Sequence, residues 1–263
     1  MMDVQSFVIL LSGVVGLMVG SFANVCVYRI PRGESVAFPG SHCPNCHHDI
    51  AWYDNIPLFA WLILKGRCRH CAVYISARYP ILEALMGISW ALLAWQFGPT
   101  ALLLQAVVLA SLLWILTLID IETGLLPNIL TLPGIVVGLA FSWWLGFFTD
   151  ALIGVAAGYG IFWLVARVFL LITGKEGMGQ GDFKLLAMLG AFMGWQALPF
   201  IVFASSFVGA IIGLIYLKLA AKDRQTEIPF GPYLALAGMA WYVWGDIFLQ
   251  WYGELIMGRG GLA

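Results

Sequence analysis

Charge is what this chain lacks. Of 263 residues, 10% are Asp, Glu, Lys or Arg, 62% are hydrophobic, and the formal net charge is −1. Soluble domains are nearer half apolar and a quarter charged, so the shortage excludes a water-soluble globular enzyme. A net charge so close to zero removes the electrostatic case for a nucleic-acid partner. Polar alternation is missing too. The apolar runs are uninterrupted, which excludes a transmembrane barrel and leaves helices to satisfy the backbone in lipid. No basic leader precedes the first run: Asp3 stands ahead of residues 4–28, a stretch longer than the apolar core of a signal peptide. It is expected to be a retained helix.

Eight apolar segments stand out, at 4–28, 80–97, 100–119, 129–148, 151–172, 182–197, 199–218 and 231–252. Each is near the ~17–25 residues that cross a bilayer, with 182–197 on the short side. The expected fold is an all-α polytopic membrane protein of about eight transmembrane helices with a small cytoplasmic zinc-binding loop domain. Its parts are a first helix (1–28), a cysteine-rich loop (29–79) and a seven-helix region (80–263). Arg29, Arg32, Lys65, Arg67, Arg69 and Arg78 lie in the first long loop, Lys175 and Lys184 flank the fifth connection, and Lys218, Lys222 and Arg224 the seventh. With eight spans these fall on one side, which the positive-inside rule makes cytoplasmic. Arg259 is opposite, and Arg167, inside a span, is near enough to its end to snorkel.

Cysteine is also scarce, and four of the five fall in that first loop. Cys43-Pro44-Asn45-Cys46 and Cys68-Arg69-His70-Cys71 are two C-x2-C pairs separated by 21 residues, and all four histidines lie beside them. Paired pairs read as a tetrahedral thiolate zinc site. Disulfides are the rival, but a cytoplasmic loop is kept reduced, and four thiolates close the shell against a catalytic role. Between the pairs, residues 52–62 form an apolar patch that either fills this small domain or lies on the bilayer surface. Cys26, within the first span, reads as a packing residue.

In so apolar a chain, each acid at a span end asks for a reason. Asp120 ends the third segment. Asp182 opens the sixth after Gly177-Met178-Gly179-Gln180-Gly181, glycines that permit unusual backbone and close approach. Both acids fall at the cytoplasmic face. Glu122, two residues beyond Asp120, points to another side of a helix, and depth in the apolar run favours Asp120 as the inward member. Lys184 pairs with a carboxylate or snorkels. Glu83 caps the start of its span or is a third acid near the site, and Asn24, near Gly16 and Gly20, serves helix packing or the site. Two aspartates at one site cannot both ionise cheaply, so they hold one proton. One can then deprotonate water while the other protonates the substrate, which is peptide hydrolysis without a metal. An intramembrane acid pair also suits a proton-coupled transporter, though transporter acids belong near the midplane and often within a repeated architecture. An assembly scaffold would need the zinc loop but no acid pair.

The chain resembles the type IV prepilin peptidases, bacterial inner-membrane aspartic proteases with a G-x-G-D motif. The resemblance runs through Gly20-Ser21-Phe22-Ala23-Asn24, both cysteine pairs, Arg78-Tyr79-Pro80-Ile81-Leu82-Glu83, Ile119-Asp120, Leu125-Leu126-Pro127-Asn128, Gly177 to Lys184, and Pro229-Phe230-Gly231-Pro232. It implies that Asp120 and Asp182 are catalytic, with Gly179, Gly181, Lys184, Glu83 and Asn24 supporting substrate or loop. It implies structural zinc on Cys43, Cys46, Cys68 and Cys71. The substrates would be prepilins and the pseudopilins of type II secretion, cut after a glycine at the cytoplasmic membrane face. Many members also N-methylate the new terminus with S-adenosylmethionine; a peptidase-only member is the alternative. Asn128 departs from the aspartate that many members carry.

Overall fold

The computed structural model describes residues 3–175, 177–220 and 229–257, with side chains to 215 and 250 in the last two stretches. Glu176, Lys222, Arg224, Glu227 and Arg259, and the side chain of Lys218, lie outside the described residues. The chain divides into two compact units, Met1–Pro127 and Asn128–Ala263. All eight expected apolar segments are helical. Unit 1 holds α1 (Val4–Arg29), the short α2 (Phe59–Ile63), α3 (Arg78–Phe97) and α4 (Ala101–Thr123). Unit 2 holds α5 (Asn128–Leu145), α6 (Phe148–Thr173), α7 (Gln180–Met193), α8 (Leu198–Ala220) and α9 (Gly231–Met257). Among the described residues the β-structure amounts to two isolated bridges.

Among the described residues, six helices are long and apolar enough to cross a membrane: α1 with its extension to Arg32, α3, α4, α5, α6, and Trp195–Ile215 within the α8 region. Their outward faces carry Leu10, Val14, Leu92, Trp95, Val136 and Leu164, all exposed. So much contiguous apolar surface is stable against lipid and not against water. The chain is a multi-pass helical membrane protein. The other two helices differ for local reasons. α9 has 27 residues, but Gly, Tyr, Trp and Asp246 dilute its apolar character. α7 has 14 residues, about 21 Å at the helical rise, because Gly194 (φ +78°) ends it where residues 182–197 were expected to continue.

In unit 1, small residues bring α1 against α3. A Cβ on Gly20 would stand 2.8 Å from the Glu83 Cα, and one on Gly16 2.9 Å from the Trp90 Cβ. Two indole N–H groups stitch α3 to α4 where bare lipid would leave them unsatisfied: Trp90 donates to the Ser111 hydroxyl at 3.1 Å and Trp114 to Ser89 at 3.0 Å.

Unit 2 is built around α7. Phe183 and residues 185–192 are buried on every side, the pattern of a helix enclosed by others. Backbone meets backbone at Gly190: a Cβ there would lie 2.4 Å from the Gly154 carbonyl oxygen of α6. Gly158 meets the Leu186 backbone in the same way, while Gly138 of α5 and Gly238 of α9 meet the side chains of Phe192 and Leu189. Because backbone on both sides cannot swing aside, Gly190→Ala is expected to cost the upper part of the ~1–3 kcal/mol typical of overpacking. This should register as a lowered Tm in detergent, and an unchanged Tm would show that α6 and α7 do not pack here.

Candidate functional site

The cysteine-rich segment between α1 and α3 is two copies of one turn. In the first, Cys43 N–H donates to His48 O (3.0 Å), His47 N–H to Cys43 O (2.9 Å) and Ile50 N–H to Ser41 O (2.8 Å). In the second, Cys68 N–H donates to Val73 O (2.9 Å), Ala72 N–H to Cys68 O (3.0 Å) and Ile75 N–H to Gly66 O (2.8 Å). The bridges His42–Asp49 and Arg67–Tyr74 occupy matching places. His47 and Ala72 share a left-handed backbone, each at φ +56°. Every partner is displaced by 25 residues (68 − 43 = 25). Sequence reading missed this repeat because only the cysteines survive as letters; the offset between the pairs was its one signal.

The two turns face their sulfurs together. The four Sγ atoms lie within 4.8 Å of one another, and Cys43 Sγ is 3.8 Å from Cys71 Sγ. Tetrahedral thiolates bound at ~2.3 Å to zinc stand about 3.8 Å apart, whereas a disulfide needs ~2.05 Å. The donor set therefore fits a metal and not a disulfide. The Val73 amide, then the Asn45 side chain, hold the Cys71 thiol down to about 6. At Cys46 the His48 amide favours the thiolate, but desolvation and the three neighbouring sulfurs together push it up to about 11. Arg69 forks onto Asp54 at 2.7 and 2.5 Å and holds that carboxyl below the usual range, tying the second turn to the segment between the pairs. The apolar patch does not fill the domain: Trp52, Phe59, Leu62 and Ile63 are exposed. Ala60 is buried, and Trp61 turns inward, packing on Gly66 and donating to Ile75 O at 3.0 Å.

Three buried acids appear among the described residues: Glu83, Asp120 and Asp182. Glu83 does not cap its own helix. Its carboxylate accepts from the Leu58 N–H at 2.8 Å and from Ser21, tethering the cysteine-rich segment to α3. Asn24 donates to Gly20 O (3.3 Å) and Tyr79 O (3.1 Å), joining α1 to the start of α3. Arg29, expected to be a topology anchor, is buried and donates to the carbonyls of Ser35, Pro39 and Gly40.

Asp120 sits in the last turn of α4, buried, its carbonyl capped by the N–H of left-handed Gly124 at 2.8 Å. Glu122 is exposed and ion-paired to Arg78. In unit 2, Asp182 is buried in the first turn of α7, after the N-cap Gly179, where the helix dipole favours an anion. Gly179 has ordinary extended backbone, and Gly181 lies within the first turn of α7 and is not among the residues of positive φ. The left-handed glycine is Gly174, which caps α6, and Gly177 is needed because the Phe169 ring would meet a Cβ at 2.5 Å. A Cβ on Gly179 would stand 3.7 Å from Asp182 Oδ2, an ordinary van der Waals distance. The Lys184 ammonium donates to Asn128 Oδ1 at 2.7 Å, fixing the start of α5 beside α7.

These features define a class: a multi-pass helical membrane protein with a four-cysteine module and two buried aspartates at helix ends. The bacterial peptidase A24 N-terminal domain matches residues 14–97, and the type IV leader peptidase family matches residues 107–214. Relatives named prepilin leader peptidase/N-methyltransferase include that of Aeromonas hydrophila, 44% identical over 262 residues covering 90% of each chain. Those of Aeromonas salmonicida (43% over 268 residues, 92% of each) and Pseudomonas aeruginosa (42% over 266, 90% of each) are similar along the same length. No solved structure matches. The chain belongs to the type IV leader peptidase family.

Proposed function

We infer that this chain is a prepilin leader peptidase and N-methyltransferase of the bacterial inner membrane, acting at its cytoplasmic face on prepilins and pseudopilins. The carrying observation is the burial of Asp120 and Asp182 at helix ends in a chain so poor in acids. In this reading the two aspartates flank one water molecule and share one proton. Opposite helix ends lie behind them, since Asp182 opens α7 and Asp120 closes α4, so the pair is not symmetric. Asp182 serves as the carboxylate that takes a proton from water. Asp120 donates a proton to the scissile carbonyl and, as the C–N bond breaks, the leaving amine is protonated in turn.

Lys184 acts on this site by holding Asn128, and the glycines of the Gly177–Gly179 loop by permitting close approach beside Asp182. Cys43, Cys46, Cys68 and Cys71 hold a structural zinc that supplies folding energy and no open coordination position. S-adenosylmethionine supplies the methyl group for the second activity. The test incubates the purified protein with a prepilin-like peptide, with and without S-adenosylmethionine, and weighs the products. Leader loss in both arms, with a methyl gained only with the donor, is expected. Cleavage without methylation leaves a peptidase alone, and an intact peptide in both arms removes the assignment.

A further inference from the structure

An apolar face of unit 1 lies outside the spanning helices, on the segment between the two cysteine turns. Trp52, Tyr53, Ile56, Phe59, Leu62 and Ile63 are all exposed there, Trp52 by 80% and Ile63 by 74%. The remaining exposed side chain among residues 52–63 is Asn55. The carboxylate in the stretch, Asp54, is turned away: its side chain keeps 11% exposure and takes both prongs of Arg69. An exposed apolar face without a free charge marks a contact with protein or with lipid.

Depth, continuity and backbone bonding choose lipid. α3 has 20 residues, about 30 Å at the helical rise, which is the thickness of the hydrocarbon core; its start therefore marks the membrane face. Glu83 stands in the second turn of α3, and its carboxylate holds the Leu58 N–H at 2.8 Å. The turn that launches α2 is thereby tied down beside the first turns of α3, in the zone ~5–10 Å deep where interfacial helices lie. Asn55 and Pro57 also share a groove with Met18, Phe22 and Val25 of α1. Met18 and Phe22 continue the exposed stripe of Leu10 and Val14 at every fourth residue, the surface that faces lipid. The patch thus extends an interface that the bilayer already covers. Finally, Leu58 (φ +62°, ψ −52°) forms a strained γ-turn, closed by Phe59 N–H to Pro57 O at 2.7 Å. The N–H groups of Ala60, Leu62 and Leu64 go to the carbonyls of Ile56, Leu58 and Ala60. With Glu83 on the Leu58 amide, these groups are satisfied without water, as a low-dielectric setting requires.

We propose that residues 52–63 dock on the bilayer leaflet at which α1 ends and α3 begins, sinking Trp52, Phe59, Leu62 and Ile63 to the boundary between headgroups and acyl chains. Trp and Tyr settle at that boundary. The first exposed charges beyond the patch, Lys65 and Arg67, are basic and suit headgroup phosphates. Docking holds the four-cysteine module against the membrane instead of free in water. It also gives buried Glu83 a task that offsets its cost: serving an amide at a depth where water is scarce. Because unit 1 and lipid alone take part, the docking holds whatever reaction the aspartates perform.

Photolabelling of the full wild-type chain tests this, in vesicles of phosphatidylethanolamine and phosphatidylglycerol that carry a phospholipid with an acyl-chain diazirine. Peptide mapping should find label on residues 52–63 in a yield comparable to that on the Met18–Phe22 stripe of α1, which serves as the internal standard. Label on α1 with none on residues 52–63 overturns the docking. Cross-linking of residues 52–63 to a second copy of the chain in place of lipid overturns it too. The double variant Leu62→Glu, Ile63→Glu should lower the label on the segment at least ~5-fold, with the label on α1 and the zinc content unchanged. Undiminished label in that variant means that another face enters the lipid, and the proposal fails. If the variant loses its zinc, its segment has misfolded, and the wild-type map alone decides.

Discussion

Asp120→Asn and Asp182→Asn should each lower leader cleavage by at least ~10²–10⁴-fold, the range a positioned acid or base contributes, while the protein remains inserted and folded. Asparagine keeps the size and one oxygen of each side chain but can neither take the proton from water nor return it. Each aspartate sits at a helix end, Asp120 before the Gly124 cap and Asp182 after the Gly179 cap, so the substitutions leave the helix interiors untouched. The two losses should not add, because residues that act as one unit fail together. The double variant should therefore be about as inactive as either single one. Peptide cleavage in membranes, normalised to inserted protein, gives the answer. Appreciable cleavage by either single variant would mean that the acid in question is only structural. Glu122→Gln is the contrasting variant: it loosens the pair with Arg78 at an exposed site and leaves the buried carboxyls alone.

Cys43→Ser or Cys71→Ser should release the zinc and unfold the segment between α1 and α3. Structural zinc contributes apparent binding free energies of ~10–16 kcal/mol near neutral pH, more than the few backbone bonds, the Arg69–Asp54 pair and the Trp61–Ile75 bond that otherwise hold these turns. Each has one isolated bridge, and Trp52, Phe59, Leu62 and Ile63 point outward instead of forming a core. Elemental analysis should fall from one zinc per chain to none, and amides such as Ile50 and Ile75, which close the two turns, should exchange freely. Cys26→Ser should retain the metal, because Cys26 is buried in α1 and lies outside the cluster. Wild type that contains no zinc yet protects those amides would show that the thiols pack without metal.

How much could be read in advance depended on the kind of residue. Asp120 and Asp182 were legible because a carboxylate at the end of an apolar run is costly and therefore conspicuous. The cysteines were legible because metal ligands come at fixed spacing. Glu83 and Arg29 were visible as letters but not as roles: their partners are the backbone groups of Leu58, Ser35, Pro39 and Gly40, and any residue supplies a backbone group. The partner of Lys184 was equally hidden, since its acceptor is a neutral amide 56 residues away on α5.

By itself the sequence determined the all-helical membrane class, the positions of eight helices, the cysteine module and the two aspartates. These follow from hydropathy, spacing and the cost of charge in lipid, all of which act locally along the chain. The tertiary structure decided the rest. It wrapped the short α7 inside unit 2 by glycine contacts such as Gly190 on Gly154, folded the cysteine loop as a 25-residue repeat, and committed two buried charges, Arg29 and Glu83, to loop backbone. Those outcomes depend on which backbone atoms come within about 3 Å of one another, the reach of a hydrogen bond, and distant segments acquire that proximity only when the helices pack.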